Sequence, residues 1–131
     1  MDAVETTPPQ IVENGLLNGR VRLRQPARGY RAGMDAALLA AAVDASPGQT
    51  VIEAGCGAGA VLMQIAARRP GVVLTGVERD PAMAALAMEN AALNGMEATA
   101  TIRQGDVAAG FRTLGRAPAD WAVSNPPFFD D

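Results

Sequence analysis

Three glycines at alternate positions, Gly55, Gly57 and Gly59, constrain the fold of this chain more than any other feature. They follow a short apolar run containing Glu53, which predicts a buried strand, and they precede an alanine-rich segment that predicts a helix. Glycine lets the backbone adopt positive φ and lets a ligand approach with no Cβ in the way, and a helix start offers unpaired N–H groups. The stretch therefore predicts a strand–loop–helix nucleotide site at the first crossover of an α/β sheet.

The spacing of the loop narrows the class of ligand. A dinucleotide loop has the pattern G-x-G-x-x-G, and a phosphate loop requires a lysine, which this chain lacks. The pattern Glu53-x-Gly55-x-Gly57-x-Gly59 resembles motif I of the class I S-adenosylmethionine (SAM) methyltransferases, in which the loop passes under the methionine part of SAM. The resemblance implies that these residues bind SAM. Cys56 then lies in the SAM loop as a small residue that fits, because no base is present to activate it as a nucleophile. A glycine-rich turn without a ligand is the alternative.

The composition excludes several classes of chemistry. The 131 residues are 49% hydrophobic, which predicts one globular domain, and residues 1–10 resemble neither a signal peptide nor a membrane span. The single cysteine excludes an internal disulfide and fits a cytoplasmic protein. All 11 basic residues are arginine and histidine is absent, which excludes Ser-His-Asp and Cys-His triads, histidine metal sites and Schiff-base lysines. We therefore expect no metal, and chemistry that depends on binding, carboxylates, amides and a cofactor.

The order of predicted elements indicates an α/β fold. Sheet strands are expected at 50–54, 72–77, 99–104 and 120–124, with helices from 33 to about 43, at 60–68, and from Asp80-Pro81 to Asn94-Gly95. Strands that alternate with helices predict a parallel, doubly wound sheet. A hairpin or edge strand is expected over residues 15–25. We expect residues 1–14 to be a flexible N-terminus and residues 15–131 to form the SAM-binding domain.

Five arginines precede the first sheet strand with no acid among them: Arg20, Arg22, Arg24, Arg28 and Arg31. Alternation in Arg20-Val21-Arg22-Leu23-Arg24 predicts that these arginines lie on one face of a strand. Such a stripe can follow the phosphates of a nucleic acid. A solvated edge strand protected by charge is equally consistent, and the net charge of −3 argues mildly against a nucleic-acid partner.

Two acids follow later strands of the predicted sheet. Glu78 comes after the second strand, where a carboxylate would accept hydrogen bonds from ribose hydroxyls. Asp106 comes after the third strand and resembles the residue that contacts the adenine amino group of SAM in the methyltransferases. The alternatives are a surface glutamate at Glu78, and an Asx turn or a helix cap at Asp106.

The segment Gly29-Tyr30-Arg31-x-Gly33-Met34-Asp35 resembles the one before motif I in a single branch of the family. That branch is the bacterial adenine-N6 methyltransferases that act on valine tRNA, in the small-methyltransferase-domain group. Because the segment helps to close the SAM pocket there, the resemblance implies Arg31 and Asp35 as pocket residues. Asp35 is equally consistent with an N-cap of its own helix.

The last motif, Asn125-Pro126-Pro127-Phe128, resembles motif IV of methyltransferases that modify planar amide or aromatic amine nitrogens. An adenine amine is a poor nucleophile because its lone pair is delocalised into the ring. The resemblance implies that the Asn125 side chain and the Pro126 carbonyl accept its N–H groups while Phe128 stacks on the base, and that Asn125 also borders the SAM pocket. The proton leaves after methyl transfer, so no histidine base is required. A proline-rich turn that caps a strand is the alternative.

The resemblance covers roughly residues 15–129, and it implies a partial Rossmann-like class I methyltransferase sheet. The family's strand order is 3-2-1-4-5-7-6, and strands five to seven are missing from this sequence. We expect a truncated chain that binds SAM weakly or dimerises through its exposed fourth strand, and that transfers methyl groups poorly. The predicted target is the N6 amine of an adenine in tRNA. Guanine N2 of ribosomal RNA, a protein glutamine N5 and a non-catalytic SAM-binding module remain alternatives.

Overall fold

The alternation of strands and helices predicted from the sequence is present in the computed structural model, which describes residues 10–28, 33–106 and 119–124. The four strands of the main sheet and the two crossover helices begin and end within one residue of their predicted bounds. This confirms the α/β class. In chain order the described elements are β1 (Ile11–Leu16), β2 (Val21–Pro26), α1 (Met34–Ala42), β3 (Thr50–Ala54), α2 (Ala60–Arg68), β4 (Val73–Glu78), α3 (Pro81–Leu93), β5 (Ala100–Gln104) and β6 (Trp121–Ser124).

The main sheet contains four parallel strands in the order β5-β4-β3-β6. This is the 3-2-1-4 part of the predicted order. The Asp120 carboxylate fixes the start of β6 against β3, because its Oδ2 accepts hydrogen bonds from the Thr50 backbone N at 2.8 Å and from Thr50 Oγ1 at 3.2 Å. All four strands run the same way, so their carboxyl ends meet at one edge of the sheet, where the glycine loop begins.

The helices cover the sheet with small and aliphatic side chains. The crossovers β3–α2–β4 and β4–α3–β5 run in the same direction across the sheet, so right-handed connections place α2 and α3 on one face. Leu62, Met63 and Ile65 of α2 are fully buried in the core that also contains Leu74 of β4. Their burial provides the hydrophobic stabilisation that holds the glycine loop at the sheet edge.

The N-terminal hairpin pairs β1 with β2 in an antiparallel sheet of its own. Alternate residues Val21, Leu23 and Gln25 are buried, whereas Arg22 and Arg24 point outward, as the alternation predicted. The predicted boundary at residue 14 was wrong: residues 11–14 belong to β1. They are ordered because they pair with residues 23–26.

The residue predicted to cap the N-terminus of α3 does so, whereas the candidate cap of α1 does not. Asp80 caps α3, with its Oδ1 accepting a hydrogen bond from the Ala82 N at 2.9 Å, and Pro81 is the first helical residue, as predicted. The N-cap of α1 is Gly33, which has φ −144° and ψ −147°. Asp35 lies inside the first turn, so its interpretation as an N-cap was wrong.

Candidate cofactor-binding site

The glycine loop between β3 and α2 has the backbone that its spacing predicted. Gly55, Gly57 and Gly59 have φ of +68°, +55° and +95°. The backbone N–H groups of Gly55 and Cys56 both donate to the Val77 carbonyl, at 2.8 and 3.1 Å, so the loop crosses the carboxyl end of β4. A side chain at any of the three glycines would be strained, because L residues rarely adopt these φ values.

A cleft of about 450 Å³ opens between this loop and the hairpin. Leu23, Gln25 and Pro26 of β2 line it together with loop residues 55–58. Residues 78–80, at the end of β4 and the start of α3, also line it, and so does Glu53. The cleft therefore lies at the carboxyl edge of the parallel sheet, where α/β proteins bind ligands.

Glu78 joins the loop to the end of β4. Its Oε1 accepts a hydrogen bond from the Gly57 N at 2.8 Å, and its Oε2 accepts one from the Asp80 N at 2.9 Å. Each carboxylate oxygen can accept more than one hydrogen bond, so both keep acceptor capacity for a ligand. The Glu78 carbonyl accepts a hydrogen bond from the Gly105 N at 2.9 Å, which brings Asp106 next to this end of the site.

Glu53 is the most unusual group in the wall of the cleft. It is 2% exposed, and its Oε1 has no hydrogen-bond partner among the residues that the structure describes. Burial raises its pKa well above the usual range, and the negative charge of Glu78 adds to the effect. A buried acceptor without a partner is costly, so the site is suited to a ligand that brings a cation or an N–H donor to this oxygen.

Cys56 fills space under the loop. Burial raises the pKa of its thiol, and the charges of Glu53 and Glu78 raise it further, so the thiol stays protonated at neutral pH. A Cβ added at Gly76 of β4 would lie 2.7 Å from Cys56 Sγ, which shows how closely the two backbones approach. The position needs a small, uncharged side chain.

The remaining predicted site residues either do not line the cleft or lie outside the described residues. Asp35 and Asp106 are exposed, and neither belongs to the lining of the cleft in the part of the chain that the structure describes. Gly59 is the N-cap of α2 and is not among the residues that line the cleft. Their roles in cofactor binding stay predictions. The roles predicted for Arg31, Asn125, Pro126, Pro127 and Phe128 lie outside the described residues.

Sequence reasoning missed several lining residues. Gln25 and Met83 were not identified as site residues, Arg28 appeared only as part of the arginine stripe, and Arg79 was not considered. Gln25 could have been found, because it continues the inward alternation of Val21 and Leu23. Nothing local marks Met83 of α3, since its place in the cleft depends on how the helix packs on the loop.

The arginine stripe is partly neutralised by an acid on the neighbouring strand. Glu13 Oε2 accepts a hydrogen bond from Arg22 Nε at 2.6 Å, and Glu13 Oε1 accepts one from Arg24 Nε at 3.1 Å. These bonds lower the pKa of Glu13. Arg20 instead donates to the Ala67 carbonyl near the end of α2, at 2.6 Å. Arg22 and Arg24 share one strand face, as predicted, but the pairing across the hairpin was not foreseen.

Two classes of feature are absent from the described residues. None of their helices has the length and apolar character needed to cross a bilayer. They contain no group of three or more histidine, cysteine, aspartate or glutamate side chains arranged to hold a metal ion.

The family model of the methyltransferase small domain matches residues 31–131 of this chain. A tRNA1(Val) (adenine(37)-N6)-methyltransferase from Yersinia enterocolitica is 37% identical over 100 residues, which are 76% of this chain and 39% of that protein. A release factor glutamine methyltransferase from Rhodospirillum rubrum is 35% identical over 81 residues, which are 62% of this chain and 24% of that protein. The chain thus spans less than half the length of the curated relatives it matches.

A solved structure with the same fold contains the demethylated cofactor. It is a SAM-dependent methyltransferase from Thiobacillus denitrificans in complex with S-adenosyl-L-homocysteine (SAH), with a TM-score of 0.55 and 26% identity. The match covers 68% of this chain and 34% of that chain.

Proposed function

Because the chain belongs to the methyltransferase small domain family, we propose that its cleft binds SAM and that the protein methylates the N6 amine of an adenine in tRNA. The matched relatives include a tRNA adenine-N6 methyltransferase, and the similar solved structure holds SAH. The observation that carries the proposal is the chemistry of the cleft wall, where the buried carboxyl group of Glu53, one oxygen of which has no partner among the described residues, lies beside the glycine loop.

The residues of the cleft fit SAM. Its ammonium and sulfonium groups are cationic, and the unpartnered Oε1 of Glu53 offers an acceptor for such a ligand. Glu78 keeps acceptor capacity for the ribose hydroxyls while holding Gly57 and Asp80. Asp106, which follows the residue bonded to the Glu78 carbonyl, would accept from the adenine amino group. When bound, SAM supplies an electrophilic methyl group, so the protein mainly orients the reactants.

The target amine would be held by Asn125, Pro126, Pro127 and Phe128. The residue before them, Ser124, pairs with Ala54, which directly precedes the glycine loop, so the motif follows a strand that ends beside the SAM cleft. Two acceptors directed at the amine would draw its lone pair back onto nitrogen. The proton released after transfer can pass to solvent, which suits a chain without histidine.

The proposed partner is RNA, which the outward arginines of β2 would approach. Arg22 and Arg24 carry two positive charges against the single charge of Glu13, and their side chains are 60% and 44% exposed. A second copy of the chain is a further proposed partner. The outer edge of β6 has no neighbour among the described strands, and such an edge favours pairing with another strand.

The proposal is tested by incubating the protein with methyl-labelled SAM and unmodified bacterial tRNA, and then identifying the labelled nucleoside by mass spectrometry. We expect N6-methyladenosine, and its loss in Asn125→Ala, which removes one acceptor for the amine. Label in a different nucleoside would overturn the adenine assignment. SAH binding without any transfer, in a chain extended to the length of its relatives, would indicate a non-catalytic SAM-binding module.

A second candidate activity is methylation of a protein glutamine, because one matched relative is a release factor glutamine methyltransferase. Its substrate amide is planar and would use the same two acceptors. The arginines of β2 favour RNA over this target. Parallel incubation with release factor as methyl acceptor separates the two, since glutamine methylation would label the protein and not the tRNA.

A further inference from the structure

Asn90 of α3 and Asn94, the C-cap residue one turn further on, bind the backbone of β2 on the edge that faces away from β1. Asn94 Oδ1 accepts from the Arg22 N at 2.9 Å, and Asn94 Nδ2 donates to the Arg22 carbonyl at 2.8 Å. Asn90 makes the same pair of bonds to Arg24, both at 2.9 Å. Four residues of a helix rise about 6 Å and two residues of a strand about 6.6 Å, so the spacings match. The two amides take the place of a neighbouring strand.

Only one of the two asparagines also reaches the glycine loop. Asn90 Nδ2 donates a second hydrogen bond, of 2.8 Å, to the Ala58 carbonyl. The corresponding extra bond of Asn94 goes to the Asn90 carbonyl of its own helix, at 2.7 Å. Asn90 is completely buried, and both hydrogens of its Nδ2 are used. It therefore connects β2, α3 and the loop through one amide.

The strand and the loop that Asn90 connects are two walls of one cleft. Leu23 and Gln25, on either side of Arg24, line it from the hairpin. Gly57 and Ala58 line it from the loop. We propose that Asn90 is a positioning residue of the cofactor cleft, which sets the separation of the hairpin wall from the glycine loop. This inference rests on the proposed binding of SAM in the cleft.

The hydrogen bonds that Asn90 makes to β2 and to the glycine loop require an amide side chain. Two carbonyls, from Arg24 and Ala58, face the nitrogen, while one N–H group faces the oxygen. An aspartate at position 90 would present acceptors to both carbonyls and lose two hydrogen bonds. An aspartate at position 94 would likewise lose its bonds to the Arg22 and Asn90 carbonyls but would leave the loop untouched. The two substitutions are therefore a matched pair.

The experiment compares Asn90→Asp with Asn94→Asp in the full chain by urea unfolding and by calorimetric titration with SAH. We expect both variants to lose stability, because each leaves two carbonyls without their side-chain donors, and we expect the larger loss for Asn90→Asp, whose two bonds are the more buried. We expect the SAH dissociation constant to rise about tenfold or more for Asn90→Asp. A tenfold change is comparable with the net contribution of one neutral hydrogen bond. For Asn94→Asp we expect the SAH dissociation constant to stay within about threefold. Equal effects of the two variants on SAH affinity would overturn the inference.

A second measurement uses the unmodified protein and does not depend on the folding of a variant. In a ¹⁵N spectrum, the side-chain NH₂ signals of Asn90 should move when SAH is added, while those of Asn94 should not. If SAH binds but shifts the side-chain signals of neither asparagine, or shifts both equally, the positioning role of Asn90 is contradicted and the proposed binding of SAM is not. An unmodified protein that does not bind SAH at all overturns both the proposed function and this inference.

Discussion

At the scale of single residues, the acid of the motif-I pattern, Glu53, is a buried ionisable group with an unpartnered oxygen among the residues that the structure describes. Glu53 lies where the sequence predicted, in β3 just before the glycine loop, but its burial, and the lack of a partner for its Oε1 among the described residues, follow from tertiary packing. Sequence spacing identified the residue. It could not give the electrostatic state of the carboxyl, because that depends on burial and on Glu78, which is contributed by another strand.

The raised pKa of Glu53 gives stability a defined pH dependence. Below about pH 4.5, the ordinary value, Glu53 is protonated in both the folded and the unfolded chain. Above pH 4.5 the Glu53 carboxyl group ionises in the unfolded chain before it ionises in the folded chain. The unfolding free energy therefore falls with rising pH until the pH reaches the pKa of Glu53 in the folded chain. Glu53→Gln cannot ionise. Urea unfolding of both proteins from pH 4 to 8 should show the wild type losing up to about 1.4 kcal/mol per pH unit relative to the variant. If the unfolding free energies of the two proteins change in parallel with pH, the raised pKa of Glu53 is contradicted.

The close approach of β4 to the loop predicts the effect of a single methyl group. A Cβ at Gly76 would lie 2.6 Å from Leu62 Cδ1 and 2.7 Å from Cys56 Sγ. Gly76→Ala should therefore lower the unfolding free energy by about 1–3 kcal/mol, as overpacked cores do. Gly15→Ala is the control, since its nearest contact would be an ordinary 3.6 Å. If the denaturation midpoints of the two variants coincide, the close packing of β4 against Leu62 and Cys56 is contradicted.

At the scale of elements, local signals specified the helices and strands, and long-range contacts specified how they meet. The Asp80-Pro81 start of α3 and the glycine spacing before α2 were predictable because capping and positive φ are local requirements. The anchoring of β2 was not. Its partners, Asn90 in α3 and Asn94 at the C-cap of that helix, lie 66 and 72 residues further along the chain, and neither asparagine gives a local sign of which backbone it will bind.

The cap of α3 provides a test at this scale. Asp80→Ala removes the hydrogen bond to the Ala82 N, and we expect a loss of about 0.5–2 kcal/mol in unfolding free energy. Asp35→Ala is matched to it, because Asp35 lies in the first turn of α1 but does not occupy the N-cap. Its effect should stay within about 0.5 kcal/mol. Equal losses in chemical denaturation would show that Asp80 does not act through its cap.

At the scale of the whole molecule, the net charge of −3 conceals a basic face on the hairpin. The sequence predicted the arginines on one strand face, but it could not show that Glu13 pairs with two of them, because that contact depends on the register of β1 against β2. Fold class and the location of the cleft were predictable from periodicity and spacing, and the strand order was predictable from the resemblance to the methyltransferases. The distribution of charge on the surface was not.

The pairing of Glu13 distinguishes the two interpretations of this basic face. If Arg22 and Arg24 contact RNA phosphates, Glu13→Gln should release them and tighten tRNA binding, with a steeper dependence of affinity on salt. If the arginines only protect an edge strand, the affinity should not change. Filter binding at several salt concentrations measures both quantities, and Arg22→Ala should change them in the opposite direction.

We propose above all that the glycine loop and the wall at Glu53 and Glu78 form a SAM site. The most direct test of this site is a titration of the ¹⁵N-labelled chain with SAH, monitored through the chemical shifts of the backbone amides. We predict saturable shifts that are largest at Gly55, Gly57 and the residues after β4, and small along β1. The absence of shifts, or shifts that cluster away from this loop, would contradict the account.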